Sequence, residues 1–232
     1  GGTNSTFAVN VGPIGSVTLV DGSGVYSVLF AVATTIGASK ISGGGNLANS
    51  TWYYVYVWNN AGTADFEIST TAPVASRRYK TGDTTRRYLG CFRTTSAGAP
   101  FPMRMTKGRV LYRRSGIASV TGAFGSDGLR AVSTTGTVGS VTALDLSTRL
   151  PPHARVALLY AEEASGTGGT STLSLYTAND TTSPAHDIVA AASGLNGSLA
   201  EIETTSAQLI GYTIARTAAT SASALDVMGW CE

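Results

Sequence analysis

The chain has 232 residues, of which 43% are hydrophobic, so it can bury a substantial core in one large domain or two ordinary ones. Only 13% of the residues are charged and the formal net charge is +2, which gives no reason to expect a nucleic-acid partner. No run of about 18 apolar residues occurs, so we predict neither a membrane-spanning helix nor membrane insertion.

The beginning of the sequence, "GGTNSTFAVNVG", lacks the basic and apolar regions of a signal peptide, and we predict none. The two cysteines, Cys91 and Cys231, are 140 positions apart and have no metal-binding spacing. Nothing in the sequence indicates an oxidising compartment. We therefore expect two buried free thiols rather than a disulfide.

Helical periodicity is nearly absent, whereas apolar and polar residues repeatedly alternate with the period of two that predicts β-strands. The first candidate strands are "FAVNVG" and "SVTLVDG", separated by a Gly-Pro turn, and then the apolar run "YSVLFAVAT". The stretch "ASKISGGGNLANS" is a predicted loop, because a glycine triplet loses much conformational entropy in regular structure.

The segment "STWYYVYVWNNAGTADFEISTTAP", residues 50–73, is the most aromatic part of the chain and predicts a β-hairpin. Its first strand presents two apolar faces: Trp52, Tyr54, Tyr56 and Trp58 on one, and Tyr53, Val55 and Val57 on the other. We expect this strand to be covered on both sides. The even-numbered aromatic residues are then an inner sandwich layer or a subunit contact, and the alternative is a platform for a receptor.

Eleven of the sixteen basic residues lie between positions 77 and 114, where Asp83 is the only acid. They are Arg77, Arg78, Lys80, Arg86, Arg87, Arg93, Arg104, Lys107, Arg109, Arg113 and Arg114. This segment contains two more predicted strands, "RRYLGCFRT" and "GRVLYRR". Arginines that alternate along strands favour a solvated face, or an interface with acidic groups of a neighbouring subunit. The alternative is binding of a polyanion, including an anionic glycan.

The Gly-rich segment of residues 115–140 is the predicted domain boundary. Seven strand-like runs follow it: "VTALDLST", "ARVALLYAEE", "STLSLYTAN", "DIVAAAS", "LAEIETT", "SAQLIGYTIAR" and "ALDVMGW". Such spacing is typical of an antiparallel sandwich. We predict an all-β fold of two antiparallel β-sandwich (jelly-roll-like) domains. Residues 1–120 form an N-terminal module with the aromatic strand and the basic segment, and residues 121–232 form a C-terminal module.

No set of residues predicts catalysis. The histidines are His153 and His186, and for His186 beside Asp187 a turn or capping role is favoured over a catalytic one. The candidate carboxylate pairs for glycoside hydrolysis are Asp65 with Glu67, Glu162 with Glu163, and Glu201 with Glu203. Acids that alternate along a strand are typical of its solvated side. Acid-rich loops could hold Ca²⁺, but we predict no catalytic, cofactor-binding or metal-binding residue and no cofactor.

One long stretch resembles a module common in tail-fibre and tail-associated proteins of tailed bacteriophages. It contains, in order, a "TWYxVY" strand, a turn, "STxAP", an "RRxLGxxRT" strand and a closing "GRVLYR". The second half is similar to the companion region of such proteins, in which "DLSxxxPPxAR" leads to apolar strands and a final Gly-Trp strand, here "DVMGWCE".

The resemblance implies a non-enzymatic virion protein that assembles in the host cytoplasm with other virion proteins and forms a homotrimer, as most fibre tips do. The preferred hypothesis is a tail-fibre or tail-tip module that attaches to bacterial surface polysaccharide. The alternative is a head-fibre, decoration or collar protein with a purely structural role. A polysaccharide depolymerase is the third hypothesis and is disfavoured, because no catalytic residues are recognisable.

Overall fold

The computed structural model describes residues 9–11, 15–21, 24–30, 34–75, 78–106, 108–112, 129–177, 180–218 and 221–232. These residues form an all-β fold whose sheets are antiparallel, and apart from one 3-10 turn at Ala38–Lys40 they contain no helix. The predicted fold class is therefore confirmed. The chain divides into two compact units, Gly1–Phe101 and Pro102–Glu232.

The strands described in the first unit are β1 (Val9–Val11), β2 (Gly15–Asp21), β3 (Gly24–Phe30), β4 (Thr34–Ile36), β5 (Trp52–Asn60), β6 (Thr63–Ser69), β7 (Tyr79–Lys80) and β8 (Asp83–Arg93). The main sheet has the order β6–β5–β8–β7. β2 pairs with β3, and β2 also contacts β8 and β5 of the main sheet. β1 pairs with β4, so the first two predicted strands are not partners of each other.

The β5–β6 hairpin forms as predicted, because its turn has the geometry that twisted strands require. Asn60 pairs with Thr63, and the two residues between them, Ala61 and Gly62, both have positive φ angles, of 51° and 88°. This is the backbone pattern of a type I′ turn, the favoured two-residue hairpin loop. The Asn59 side chain also accepts a hydrogen bond from the Gly62 amide, 2.9 Å away.

Both faces of β5 are covered, as its apolar pattern predicts. Tyr54 and Tyr56 on the even-numbered face are 2% and 0% exposed, and the odd-numbered residues are buried as well. The rings of both tyrosines contact Tyr88 of β8, and the Tyr56 hydroxyl donates to the Thr71 carbonyl at 2.7 Å. The middle of the aromatic strand is therefore core.

The strands described in the second unit are β9 (Met103–Thr106), β10 (Arg109–Tyr112), β11 (Arg130–Thr134), β12 (Val138–Asp145), β13 (Val156–Ala164), β14 (Ser171–Tyr176), β15 (His186–Ala190), β16 (Leu195–Glu203), β17 (Leu209–Arg216) and β18 (Ala222–Cys231). All seven runs predicted in this half contain strands. The short strands β9 and β11 were not predicted, because they lie among Gly, Ser and Thr residues or beside prolines.

The strands of the second unit form two facing sheets. The large sheet has the order β16–β13–β18–β10–β9, and β11 also pairs with β18. The facing sheet has the order β12–β17–β14–β15. β13 contacts β14 and β15 across the interior, which makes a sandwich. Its core consists of fully or almost fully buried aliphatic residues, including Leu159, Ala161, Leu173, Leu175, Ile188, Ile214, Leu225 and Val227.

The division between the units lies between Phe101 and Pro102 rather than within residues 115–140. The reason is the pairing of "GRVLYRR": Arg109, Val110 and Leu111 of β10 pair with Cys231, Trp230 and Gly229 of β18. The Tyr112 ring also packs edge-on against Trp230, with ring centres 5.5 Å apart. Residues 115–128 of the predicted boundary segment lie outside the described residues.

Candidate functional site

A mixed aromatic and charged surface lies on the even-numbered face of β5, at the end of the strand that leads into the β5–β6 turn. On this face Tyr56 pairs with Glu67 of β6, and Trp58 pairs with Asp65. Residues directly opposite each other in antiparallel strands point to the same side of the sheet. The half-buried Trp58 therefore lies beside two carboxylates, at the end of the strand where the aromatic layer is no longer fully covered.

Three basic side chains complete this surface. The guanidinium carbon of Arg86 lies 4.1 Å from the centre of the Trp58 ring, within the range of a cation–π contact. Arg86 Nε donates to Glu67 at 2.8 Å, and Lys80 Nζ contacts the other oxygen of Glu67 at 2.5 Å. We call the set of Lys40, Trp58, Asp65, Glu67, Lys80 and Arg86 the Trp58 cluster. Its remaining ion pair joins Lys40 to Asp65, 2.5 Å apart.

Both carboxylates of the Trp58 cluster are held in the charged form. Burial acts to raise the pKa of Glu67, but the hydrogen bonds from Lys80 and Arg86 outweigh it and lower that pKa below its ordinary value. The hydrogen bond from Lys40 is the main cause that lowers the pKa of Asp65. The charges of this surface are thus largely compensated within the chain. It offers polar atoms around one aromatic ring rather than a strong field of one sign.

Three further arginines of the basic segment also have partners within the chain. Arg87 lies over the Tyr79 ring and Arg93 over the Phe101 ring, at 5.7 and 5.9 Å from the ring centres. Arg109 forms an ion pair with Glu201 of the same chain. Arg109 therefore pairs with an acid of the second half within one chain. Arg77, Lys107, Arg113 and Arg114 lie outside the described residues.

A second polar cluster lies at one end of the sandwich in the second unit. On the large sheet, Ser223 of β18 pairs with Glu163 of β13 on one side and with Thr134 of β11 on the other. On the facing sheet, Ser171 of β14 pairs with Arg216 of β17. Glu163 continues the strand face of Leu159 and Ala161, and Arg216 continues that of Ile214. The apolar core therefore ends in charged and hydroxyl-bearing side chains, which we call the Glu163 cluster.

Hydroxyl groups connect the two charged members of the Glu163 cluster. Ser171 donates to Glu163 Oε2 in a short hydrogen bond, and Arg216 Nε donates to the same Ser171 hydroxyl at 3.3 Å. Arg216 Nη2 donates to the Thr134 carbonyl at 3.0 Å and to Ser223. Among the described residues, no direct ion pair joins Glu163 to Arg216. The two charges are thus separated and bridged by Ser171.

Two polar atoms of the Glu163 cluster have no hydrogen-bond partner in the part of the chain that the structure describes. Glu163 is 0% exposed, and its Oε1 atom has no hydrogen-bond partner within the described residues. The same is true there of the buried Nη1 atom of Arg216. Burial raises the pKa of Glu163, against the opposing effects of Ser171, Ser223 and the Arg216 charge. Burial likewise lowers the pKa of Arg216. This cluster lowers the stability of the folded state, because burial of a charged group is unfavourable in free energy unless its hydrogen bonds are complete.

A cleft of about 340 Å³ opens beside the Glu163 cluster. Its lining residues are Ser133, Thr134, Thr135, Ala222 and Ser223. Four of these five residues carry hydroxyl groups. Thr134 and Ser223 belong to both the lining and the cluster, because Arg216 donates to each of them. The cleft is therefore polar, with a guanidinium directly behind its wall.

The structure also locates the other residues considered from the sequence. His186 begins β15 and lies 3.0 Å from the Ser198 hydroxyl, so it is on a strand rather than in a turn. His153 Nε2 lies 3.0 Å from a carboxylate oxygen of Glu232. Glu201 and Glu203 are on the solvated side of β16, as alternating acids predict. Asp65 and Glu67 differ from this expectation, because both are drawn into ion pairs.

The cysteines are free, as expected, although only Cys91 is fully buried and Cys231 is half-buried. No helix among the described residues is long and apolar enough to cross a membrane.

The Glu163 cluster was missed by reasoning from the sequence. The sequence feature that could have indicated it is a charged residue at a position where the alternation of a strand predicts an apolar, core-facing side chain. Glu163 in "ALLYAEE" and Arg216 in "LIGYTIAR" are such residues. No family model matches the chain, and no significant match to it is found among curated proteins.

Proposed function

We propose that the chain is a structural protein of a bacteriophage virion, namely a tail-fibre or tail-tip module that contributes to attachment to glycans on the host surface. The virion part of this proposal rests on the resemblance of residues 50–114 and of the second half to such modules. The attachment part is carried by one observation, the half-buried Trp58 ring surrounded by charged hydrogen-bonding groups.

Trp58 and its neighbours have the chemistry that a sugar ring requires. A tryptophan ring offers a flat apolar surface for the C–H face of a sugar, with polar groups at its rim for the hydroxyls. The ion pairs fix those groups before a ligand arrives, which lowers the entropic cost of binding. Because the charges of the Trp58 cluster compensate one another, it is better suited to a neutral glycan than to a polyanion.

A homotrimer is part of the proposal, and exposed leucines on β16 support self-association. Leu195 and Leu199 share one face of this strand and are 59% and 68% exposed. Large exposed apolar side chains that lie together are typical of interaction surfaces. Light scattering of the purified chain is expected to give about three times the 23.7 kDa of one chain. The substitution of both leucines by serine is expected to lower that mass.

The test of attachment is binding of the fluorescently labelled chain to arrayed lipopolysaccharides and capsular polysaccharides from bacteria. Native chain is expected to bind at least one of them, and Trp58→Ala is expected to abolish that binding while leaving the mass unchanged. Trp52→Ala is the matched control, since it removes the same ring from the other end of the same strand face. A native trimer that binds no polysaccharide would overturn attachment and leave the purely structural virion role.

A further inference from the structure

We propose that the hydroxyl-lined cleft beside the Glu163 cluster is a binding site for one small polyhydroxylated ligand, a single neutral sugar ring. This site is independent of the Trp58 cluster, and it does not require the chain to be an attachment protein. The cleft of about 340 Å³ falls at the lower end of the range of small-molecule pockets, about 300–1,000 Å³. It therefore suits one ring rather than an oligosaccharide.

The unpaired atoms of the Glu163 cluster define the chemistry of the ligand. Arg216 Nη1 can only donate a hydrogen bond, whereas an ionised Glu163 Oε1 can only accept one. An anion would satisfy Nη1 and leave Oε1 unpaired, and a cation would do the reverse. A hydroxyl both donates and accepts, so it satisfies both atoms. Neighbouring hydroxyls of a sugar ring would then meet Thr134 and Ser223 in the cleft wall.

Ser223 links the cleft to these atoms. Ser223 is one of the residues at the cleft but is itself fully buried, and its hydroxyl accepts a hydrogen bond from Arg216 Nη2. Entry of the ligand toward the guanidinium requires a change of the Ser223 rotamer, which is a rotation about a single bond. In this assignment Ser223 exchanges its bond with Arg216 for a bond to the ligand. Ser171 keeps the charged groups in place throughout, because it contacts both of them.

The unfavourable free energy of burying the Glu163 cluster supports a role in binding. Glu163 and Arg216 stand in phase with the aliphatic core, where apolar side chains of similar size would avoid an incompletely bonded pair of charges. Buried, incompletely paired ionisable groups beside a cleft are characteristic of functional sites. A ligand hydroxyl that completes their hydrogen bonds would recover part of this cost on binding.

The test uses the full chain titrated with D-galactose, D-glucose, L-rhamnose and N-acetyl-D-glucosamine, observed by ligand NMR and calorimetry. Saturable binding of at least one sugar is expected, together with protection of the chain against thermal unfolding. Sodium sulfate is titrated as the anionic probe and is expected not to bind. Saturable sulfate binding without sugar binding would overturn the assignment. The absence of binding by any probe at tens of millimolar would indicate internal water at the unpaired atoms and would also overturn it.

Two variants locate the site without touching either charge. Thr135→Tyr and Ala222→Leu both place a larger side chain in the cleft. Thr135 is exposed, so its substitution is expected to affect folding little. Each is expected to weaken sugar binding about tenfold or more. Thr137→Tyr is the matched control, because it makes the same exchange at an exposed position that does not line the cleft. Equal sugar affinity in Thr135→Tyr and Thr137→Tyr would place the sugar elsewhere and refute the proposal.

Discussion

Arg86 joins the Trp58 ring to the Glu67 carboxylate: its guanidinium carbon lies 4.1 Å from the ring centre, and its Nε donates to Glu67 at 2.8 Å. A planar guanidinium can stack on a ring and bond a carboxylate at the same time, which a lysine ammonium cannot do as well. The contacts of one side chain therefore fix both the aromatic ring and the acid on this surface.

The substitution Glu67→Gln is expected to lower the free energy of unfolding by about 1–3 kcal/mol at neutral pH, because Lys80 and Arg86 lose their charged acceptor. The pKa of Glu67 is lowered in the folded state, so its stabilisation is present above the ordinary value of 4.5. That stabilisation is lost as the pH falls through the folded-state pKa. Urea unfolding at neutral and acidic pH measures the difference, which is expected to shrink in acid.

Glu203→Gln on the solvated side of β16 is the control for Glu67→Gln and is expected to change stability little at either pH. A loss of unfolding free energy in Glu67→Gln that is the same at neutral and at acidic pH would contradict the ion-pair explanation.

The effect of Glu163→Gln on the free energy of unfolding is expected to depend on pH in the opposite direction from that of Glu67→Gln. The pKa of Glu163 is raised in the folded state, so the native protein loses stability as the pH rises from about 4.5 through that higher value. Glutamine does not ionise. The free energy of unfolding of the variant, minus that of the native chain, is expected to grow between acidic and mildly alkaline pH. A difference that stays constant over this range would show that Glu163 titrates normally.

Tyr54→Ala tests whether the middle of β5 is core. The Tyr54 side chain is almost completely buried, and removal of a large buried ring costs about 3–5 kcal/mol. Trp52→Ala, at the half-buried start of the strand, is expected to cost less. Thermal and urea unfolding provide the measurement. A Tyr54→Ala variant that melts like the native chain would refute the assignment of this face to the core.

Gly229→Ala is expected to destabilise the second unit by about 1–3 kcal/mol, the range for atoms forced into a packed site. A Cβ atom at this position would lie 1.9 Å from the Val110 carbonyl oxygen, so β18 and β10 would have to separate. Gly139→Ala on β12 is the matched control, since a Cβ atom there meets nothing within 4 Å. Similar unfolding midpoints for the two variants would contradict the close approach.

The sequence predicted those features that depend on neighbours along the chain. The two apolar faces of β5 predicted a doubly covered strand, and the turn residues after it predicted the hairpin. The seven strands of the second half followed from their alternation. In each case the periodicity of a few consecutive residues determines which side is buried.

Features that depend on distant pairing could not be predicted. β10 lies beside β18 across more than a hundred positions, and nothing in "GRVLYRR" specifies that partner. The Glu163 cluster depends on two registers, Glu163 with Ser223 and Ser171 with Arg216, and on which sheet ends face each other. A charged residue at a position that the strand alternation assigns to the core indicates such a cluster. The partner of that residue is determined only by the fold.

The position of β18 has a consequence for how the second unit is made. This strand follows all others of the unit in the chain, yet it lies inside the large sheet, paired with β13 on one edge and with β10 and β11 on the other. The β5–β6 hairpin closes between adjacent residues and needs nothing that comes later. During synthesis the first unit can therefore form early, whereas β10, β11 and β13 are not connected to one another in a sheet until residues 222–231 emerge from the ribosome.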